Sequence, residues 1–406
     1  MTEAALRDAL AAAFARGLAG VDLGARVAAA MPVVPRGVRA GAIVAVGKAA
    51  PAMARGALAA AGEWCTRVLV VAADGTEARF DDARVELRRA AHPDPDARSV
   101  AAARRARVVV GEADFVVALV SGGASSLLCL PLGLTRAAYV RVVRALRLGG
   151  ASVREVNVVR RHLCAVKGGG LARAAGGPVR TLVASDVLGG AAYDVGSGPT
   201  VADPTTRAEA RAVLARVAPG LAVPPLHESL KPGAAAARGL RVRVVARPEE
   251  LARAVARELG AGSGAVRVLR ASVAPVAALA REYAARARAL RAGEAVVRAA
   301  EPSLVVDAGR PGRGGRSTHL AALVAAGLPP GVAFLAAASD GVDGTSDTGG
   351  ASVDASLLAR VPREALARAL AAFDTGPLLA SAAMALPLRP SGTNLADVHI
   401  LARARE

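Results

Sequence analysis

Short, uninterrupted apolar runs alternate with longer Ala/Arg-rich stretches along most of the chain. The apolar runs have the length and continuity of strands buried on both faces, and they predict strands at residues 42–46, 68–72, 115–120, 181–185, 304–308 and 333–339. The intervening stretches predict helices at roughly residues 49–61, 97–110, 135–147, 206–217, 249–258, 271–290 and 317–326. Strand–helix alternation predicts the α/β class, with doubly wound, mostly parallel sheets.

Length predicts more than one domain. The 406 residues exceed what a single hydrophobic core usually covers. Pro224, Pro225 and the Pro/Gly/Ala-rich stretch at 230–239 mark the place where the chain is expected to pass from one domain to the next. We therefore expect two doubly wound domains, residues 1–232 and 233–406.

Composition argues against a nucleic-acid partner. Hydrophobic residues make up 53% of the chain but aromatic residues only 2%, so the cores are expected to consist of Ala, Val and Leu. The net charge of +18 suggests nucleic acid, yet the arginines are dispersed and few aromatics exist to stack on bases. No nucleic-acid partner is expected. All but three of the 52 basic residues are arginine, which makes Lys48, Lys167 and Lys231 conspicuous.

The chain has the features of a cytoplasmic protein. Its three cysteines lack CxxC spacing and a neighbouring histidine cluster, which suits buried thiols in a reducing compartment. The first residues predict a helix, because Glu3, Arg7 and Asp8 interrupt any apolar run that could serve as a signal peptide. The longest uncharged stretch, 317–339, is broken near its middle by Gly327, Pro329 and Pro330, so no membrane partner is expected.

Glycine-rich turns follow the predicted strands, where doubly wound sheets place their ligands. Gly47-Lys48 ends the first strand and a helix starts at once, so Lys48 stands at a helix N-terminus, where free amides attract anions. The stretch is not a P-loop, since its glycine spacing is one residue too long and Ala49 replaces the Ser/Thr that would hold magnesium. A surface lysine on an ordinary turn is the alternative interpretation.

Three further stretches in the first half offer amides, hydroxyls and charges. Ser121-Gly122-Gly123 and the nearby Ser125 follow a strand and are suited to a phosphate, or else to tight packing alone. The second stretch, with Asn157 and Lys167, is too polar for a plain amphipathic helix, or else is a helix with a solvated charged face. In the third, Asp186 follows strand 181–185, where a cap or turn residue is the alternative, and Gly198-Pro199-Thr200 form a turn rich in amides.

The second half carries two arginines and a group of acids. Arg313 and Arg316 stand among glycines before a helix, and Asp340, Asp343 and Asp347 fall within eight residues. Three aspartates at this spacing suit Mg²⁺, but Asp-Gly pairs are also ordinary turn formers. A Ser-Gly-Thr-Asn turn that includes Thr393 and Asn394 precedes a short final segment. The one GxGxxA match, at 260–265, follows a helix and therefore fails as a dinucleotide fingerprint.

Taken in order, these stretches resemble the glycerate 2-kinase family over nearly the whole chain. The matching motifs are VGKAAPAMA, HPDPD, VSGGASSL, REVNVVRRHL, SDVLG, GSGPT, GRGGR, SDGVDGTSD and SGTN. The resemblance implies two α/β domains with the active site in the cleft between them. It also implies ATP and Mg²⁺, with phosphorylation of the C2 hydroxyl of D-glycerate to 2-phosphoglycerate by a monomer or homodimer.

The resemblance also assigns roles to positions. Lys48 and Arg316 would flank the transferred phosphoryl group, and an aspartate such as Asp186 or Asp340 would orient the attacking hydroxyl or hold the metal. We take Asp186 as catalytic and Asp340 as the metal ligand. The expected nucleotide- or substrate-binding residues are Ser121, Gly122, Gly123, Ser125, Asn157, Lys167, Gly198, Pro199, Thr200, Thr393 and Asn394.

The chain departs from the family pattern at two places that bear on the substrate. The usual GGRNQE ends here in Ser317-Thr318-His319, and the usual GDD is Gly189-Gly190-Ala191. A milder change turns GGE into Ala292-Gly293-Glu294 and keeps the acid. Two alternatives therefore stay open: a kinase for another small 2-hydroxy acid, and an inactive relative that binds nucleotide or metabolite. A hydride-transfer enzyme is disfavoured because no strand-linked dinucleotide fingerprint is present.

Overall fold

The computed structural model describes residues 2–222, 225–260, 265–306, 309 and 311–405, which form two compact units. The first unit is residues 23–246, and the second is residues 2–22 together with 247–405. The strands of the two units, in chain order, are β1 Gly41–Val46, β2 Cys65–Ala73, β3 Val85–Ala90, β4 Phe115–Ser121, β5 Val179–Ala184, β6 Arg241–Ala246, β7 Val266–Val268, β8 Ala295–Ala300, β9 Val332–Ala338, β10 Thr348–Asp354, β11 Ala385–Pro387 and β12 Asp397–Arg403.

Helices lie between most of these strands. They are α1 Glu3–Ala19, α2 Leu23–Ala30, α3 Ala50–Ala60, α4 Ala97–Gly111, α5 Ala124–Leu127, α6 Arg136–Leu148, α7 Val153–His162, α8 Gly170–Arg173, α9 Arg207–Val217, α10 Pro248–Gly260, α11 Val276–Ala289, α12 Arg316–Ala325, α13 Leu357–Arg360, α14 Arg363–Ala371 and α15 Thr375–Ser381, with 3₁₀ turns at Ala192–Ser197 and Ala235–Ala237. No helix of the described residues combines the length and apolar character needed to cross a bilayer.

The first unit contains a six-stranded sheet in the order β3-β2-β1-β4-β5-β6, and every neighbouring pair is parallel. Strands β1 and β4 are buried along their whole length, as expected for central strands covered on both faces. Val46 at the end of β1 pairs with Val120 near the end of β4. The strand order reverses between these two strands, so the turns that follow them lie at the topological switch point of the sheet.

The second unit contains a mixed sheet in the order β11-β10-β9-β12-β8-β7. Four of its five ladders are antiparallel, and only β7 and β8 run parallel. The last strand, β12, inserts between β8 and β9 and runs against both. As a result Asp397, the first residue of β12, pairs with Ala300 and Ala338, which end β8 and β9.

The predicted fold class is confirmed, with one correction to the second sheet. Six of the ten ladders are parallel, but they fall mainly in the first unit. The five predicted strands other than 304–308 are present. Residues 304–306 form no strand, and 307–308 lie outside the described residues. The strands not predicted, such as β8, β10 and β12, carry charged residues or glycines that interrupt the apolar run on which the prediction relied.

The division into units differs from the predicted boundary at 232/233 for two reasons. Strand β6 extends the first sheet by pairing with β5, which carries the first unit to residue 246. Helix α1 packs with the second unit: a Cβ built on Gly17 would lie 2.6 Å from Val255 Cγ2, and Arg7 pairs with Asp354 at 2.7 Å. Contacts between residues so distant in sequence leave no compositional mark.

Candidate active site

The turn between β1 and α3 is tied directly to the turn after β4. The Lys48 amide donates to the Gly122 carbonyl at 2.9 Å, and the Ala49 amide donates to Ser121 Oγ at 3.1 Å. Ser121 is fully buried and also donates to the Val46 carbonyl at 3.4 Å. The hydroxyl of Ser121 therefore holds the two switch-point turns together.

Two glycines make this close approach possible. Gly47 has φ +127°, and a Cβ there would lie 2.1 Å from Ser121 Oγ, which no side chain permits. Gly123 has φ +84°, and a Cβ there would lie 3.3 Å from both Lys48 Cγ and His92 Cδ2. The side chains of partly exposed Lys48 and of His92 therefore flank the exposed face of the Gly123 turn. His92 belongs to the HPDPD motif, where the sequence predicts only a turn residue.

A chain of polar groups continues from this turn. Ser125 Oγ lies 2.6 Å from Ser197 Oγ, and Ser197 donates to Asn157 Oδ1 at 2.9 Å. The Asn157 amide in turn donates to the Asp194 carbonyl at 3.1 Å. The network links the predicted binding residues Ser125 and Asn157, and the Asn157 amide is buried within it.

Lys167 lies behind the same turn. Its side chain is buried, and its ammonium donates to the carbonyls of Ser125 and Leu128, each at 2.6 Å. These two bonds fix helix α5, because Ser125 lies in its first turn and Leu128 directly follows it. The geometry gives Lys167 a role in shaping the loop, and its predicted contact with a nucleotide stays a prediction.

The GSGPT turn packs against the glycines of the KGGG stretch. The Gly198 carbonyl accepts from the Gly169 amide at 2.7 Å, and the Pro199 carbonyl accepts from the Leu171 amide at 3.0 Å. The Thr200 hydroxyl lies 2.9 Å from that of Thr181 and is buried. Carbonyls of this turn therefore cap α8.

Asp186 follows β5 on the same edge of the first sheet. It comes two residues after the end of the strand and is partly exposed. The carboxyl ends of parallel strands meet at one edge. Asp186 therefore shares that edge with Lys48 and Ser121.

In the second unit, Arg316 is held by two carboxylates. Its Nε and Nη2 donate to Asp397 Oδ2 and Oδ1 at 2.6 and 3.1 Å, and Nη1 donates to Glu301 Oε1 at 3.1 Å. Arg316 is the first residue of α12, Asp397 the first of β12, and Glu301 directly follows β8. The sequence interpretation missed both acids, although each follows or begins an apolar strand.

Burial and charge oppose each other in this cluster. Burial raises the pKa of Asp397 to about 6, although Arg316 acts to lower it. For Arg316, burial lowers the pKa but Asp397 and Glu301 outweigh that effect, and the net shift is upward. The guanidinium is therefore charged at all ordinary pH values, and its side chain keeps 33% of its surface exposed.

The three aspartates after β9 have separate roles. Asp343 accepts from the amides of Ser317 and Thr318 at 2.9 and 2.7 Å, so it caps the N-terminus of α12. Asp347 pairs with Arg313. Asp340 is partly exposed and accepts from the Val342 amide at 3.1 Å. No cluster of three potential metal ligands occurs among the described residues, so a three-aspartate cage is not formed.

The predicted SGTN turn docks beside Asp340. Ser391 Oγ donates to the Ser339 carbonyl at 2.5 Å and accepts from the Thr393 amide at 3.0 Å. The Ser391 amide donates to the Asp340 carbonyl at 3.1 Å. Thr393, Asn394 and Asp340 therefore share the edge of the second sheet where β9 ends.

The segment that departs from the family pattern after Arg316 is packed into the second unit. Ser317 and Thr318 are fully buried, and His319 stacks on Phe373 with ring centroids 5.2 Å apart. Burial lowers the pKa of His319. The other departure, Gly189–Ala191, lies in a turn where the Ala191 amide donates to Asp194 Oδ2 at 3.1 Å.

The predicted site residues thus form two groups, one at the carboxyl edge of the first sheet and one at the edge of the second sheet where β8 and β9 end and β12 begins. Lys48, Asp186 and the Ser121–Ser125 turn belong to the first unit, whereas Arg316 and Asp340 belong to the second. The predicted cleft between the two domains stays a prediction.

Comparison with known families divides the chain in a similar way. Residues 9–229 match the model described as a domain of unknown function, DUF4147. Residues 289–397 match the MOFRL family model.

Curated relatives align over most of both chains. A protein of Agrobacterium vitis, provisionally named hydroxypyruvate reductase, is 35% identical over 381 residues, which cover 87% of this chain and 84% of the relative. The D-glycerate 2-kinase of Thermotoga maritima is 31% identical over 376 residues, or 88% and 89% of the two chains. The crystal structure of a glycerate kinase from Thermotoga maritima superposes with a TM-score of 0.82 at 27% identity, covering 98% of this chain and 99% of that one.

Proposed function

The chain belongs to the glycerate 2-kinase family, and from that membership we propose that it transfers the γ-phosphoryl group of ATP to the C2 hydroxyl of D-glycerate. The product would be 2-phosphoglycerate. The observation that carries the proposal is the position of Lys48 at the switch point of the parallel sheet, against the Gly122-Gly123 turn. Such a position places an ammonium at the edge of a parallel sheet where doubly wound folds bind their ligands.

The first unit supplies groups suited to a phosphate chain and to the acceptor. Gly47 lets the two turns pack against each other, and Lys48, partly exposed beside Gly123, would neutralise charge on the phosphates as a compact ammonium. Asp186, partly exposed at the end of β5, is the carboxylate proposed to orient the acceptor hydroxyl and take its proton. Lys167 and Asn157 would keep the turn in shape from behind.

The second unit supplies a fixed guanidinium. Phosphoryl transfer depends mainly on positioning and on neutralising charge, and an arginine locked by two carboxylates meets both needs. We propose that Arg316 stabilises the charge on the transferred group. Thr393 and Asn394 are proposed to contact substrate or nucleotide from the turn beside Asp340.

Magnesium fits this arrangement only as an ion shared with the nucleotide. Mg²⁺ usually binds one or two carboxylates and takes its remaining ligands from phosphates and water, so a preformed protein cage is not required. Asp340, partly exposed next to the SGTN turn, is the proposed protein ligand. When bound, the ion would neutralise charge on the phosphates.

The test is an assay of ADP release with ATP, Mg²⁺ and a panel of small 2-hydroxy acids. D-glycerate should give the highest kcat/KM, and phosphorus NMR should show the 2-phosphate. A different hydroxy acid at the top of the panel would replace D-glycerate as the acceptor, which the altered Ser317–His319 segment makes worth testing. Binding of ATP without turnover on any acceptor would leave an inactive nucleotide-binding relative.

A second candidate is reduction of hydroxypyruvate by a nicotinamide cofactor. The order of the first sheet is that of dinucleotide-binding folds, and the Agrobacterium relative carries the corresponding name. Two observations count against it. The first βα turn, 47–52, has a single glycine, and the acid after β2, Asp74, is engaged by Arg98 at 2.7 and 2.5 Å. Oxidation of NADH or NADPH by hydroxypyruvate would favour this candidate over the kinase.

A further inference from the structure

The carboxylates around Arg316 leave its guanidinium only partly available. A guanidinium has five N–H donors. Asp397 accepts two of them and Glu301 accepts a third. One N–H on each terminal nitrogen stays available for an anion, and the two carboxylates fix the plane in which those donors lie.

The groups that impose this orientation stand on regular elements. Asp397 is 2% exposed and sits where β12 passes between the ends of β8 and β9. Ser317 Oγ supports it further, donating to Asp397 Oδ2 at 3.4 Å. Arg316 itself begins α12, whose first amides are capped by Asp343. A side chain held between strand and helix keeps its orientation better than one on a loop.

We propose that Asp397 is a positioning residue for the phosphoryl transfer, acting through Arg316 to present two N–H donors in one fixed orientation. This proposal rests on the function proposed above. Glu301 contributes less, because it makes a single bond and its side chain is 37% exposed.

The charges that face Asp397 give the proposal a pH signature. Arg316 faces it from α12, Glu301 from the end of β8, and Asp343 from the turn after β9. Burial raises the pKa of Asp397 to about 6. A proton on Asp397 removes its charge from the bidentate pair, so kcat should fall as the pH drops below about 6.

The primary test is Asp397→Asn, which keeps the shape but loses the charge and one acceptor. The kcat should fall about 10- to 100-fold, as for other groups that orient a functional residue, while KM for ATP and acceptor changes little. The acid limb of kcat near pH 6 should disappear. Asp354→Asn is the matched control, because it breaks another buried Arg–Asp pair at the opposite end of β9, where Asp354 pairs with Ala333. It should lower stability but leave kcat unchanged.

A double-mutant cycle separates positioning from a general structural role. If Asp397 acts through Arg316, Asp397→Asn should reduce kcat no further in an Arg316→Ala background. Additive losses would overturn the proposal, as would an Asp397→Asn enzyme with full kcat and an unchanged acid limb. If Asp397→Asn does not fold, Glu301→Gln takes its place in the cycle. We then expect a several-fold loss of kcat only when Arg316 is present, and no loss of kcat in Glu301→Gln would overturn the proposal.

Failure of the positioning proposal can be told from failure of the proposed function. A folded wild-type chain that releases no ADP with any acceptor would overturn the proposed function, and the positioning proposal with it. An active wild type combined with full activity in Asp397→Asn would overturn the positioning proposal alone.

Discussion

At the scale of single residues, Lys48 is the side chain on which the proposed transfer depends most directly. It is partly exposed, and its backbone amide donates to the Gly122 carbonyl, a bond that a substitution of the side chain leaves in place. Lys48→Ala should therefore reduce kcat about 10²- to 10³-fold, the range for losing one charge-stabilising donor, with little change in Tm. Steady-state kinetics and thermal unfolding of the same preparation check this.

Lys48→Arg is the companion variant for that prediction. It keeps the charge but replaces a compact ammonium with a planar guanidinium, so partial activity is expected. Equal losses of activity and stability in Lys48→Ala would instead make the lysine a structural residue.

Buried His399 should make the stability of the fold depend on pH. Its Nδ1 lies 3.0 Å from the Tyr283 hydroxyl, and burial, with smaller effects of Arg298 and Arg316, lowers its pKa from 6.5 to about 3. Between these values the unfolded chain binds a proton that the folded chain does not, so this contribution to stability is present above pH 6.5 and declines as the pH falls. Denaturant titrations should show a slope of up to about 1.4 kcal/mol per pH unit from this group.

The matched variants for that prediction are His399→Gln and His227→Gln. His399→Gln should flatten the slope below pH 6.5, whereas the exposed His227 in the other unit should have no such effect. Burial of Asp397 has the opposite effect on the pH dependence of stability, because its pKa is raised on folding from 3.8 to about 6. The stability that it contributes is present below pH 3.8 and is lost as the pH rises toward 6. An unchanged slope in His399→Gln would contradict the assignment.

At the scale of elements, the loop that carries Gly122, Gly123 and Ser125 depends on Lys167. Lys167→Met would leave the carbonyls of Ser125 and Leu128 buried without the ammonium that they share. Each such group costs about 1–3 kcal/mol, so the free energy of unfolding should fall by several kcal/mol and kcat should fall with it. Urea unfolding and steady-state kinetics measure the two effects.

Lys231→Met is the control for the loop. Lys231 also donates to a backbone carbonyl, that of Thr205, and pairs with Glu228 at 2.6 Å. Its side chain is 30% exposed and it lies outside the site, so we expect a smaller loss of stability than in Lys167→Met. A higher KM for ATP without a loss of stability in Lys167→Met would show that Lys167 contacts the nucleotide directly.

At the scale of the whole molecule, we expect the net charge of +18 to assist capture of the proposed substrates. ATP and glycerate are anions, so a positive protein attracts both, and salt screens that attraction. The kcat/KM should fall several-fold between low and high ionic strength while kcat stays nearly constant. Stopped-flow or steady-state measurements with a neutral salt test this, and a salt-independent kcat/KM would show that the arginine excess has no part in capture.

The sequence by itself determined the fold class and five of the twelve strands of the described residues, and it singled out candidate site residues. Continuous apolar runs identified β1, β2, β4, β5 and β9, because strands buried on both faces need no alternation. Rare lysines and glycine-rich turns identified Lys48 and the Ser121–Gly123 turn, because φ values above zero at Gly47 and Gly123 exclude other residues. The family resemblance followed from the order of such motifs.

Only the tertiary structure decided which of those groups act on each other. Strand order placed β12 between β8 and β9 and so brought Asp397 to Arg316, which lies 81 residues earlier in the chain. In the folded chain Lys167 also donates to two backbone carbonyls, and Asp343 caps helix α12. A local sequence pattern reports burial and turn geometry over a few residues. The pairing of distant charges depends on strand order, which no local pattern contains.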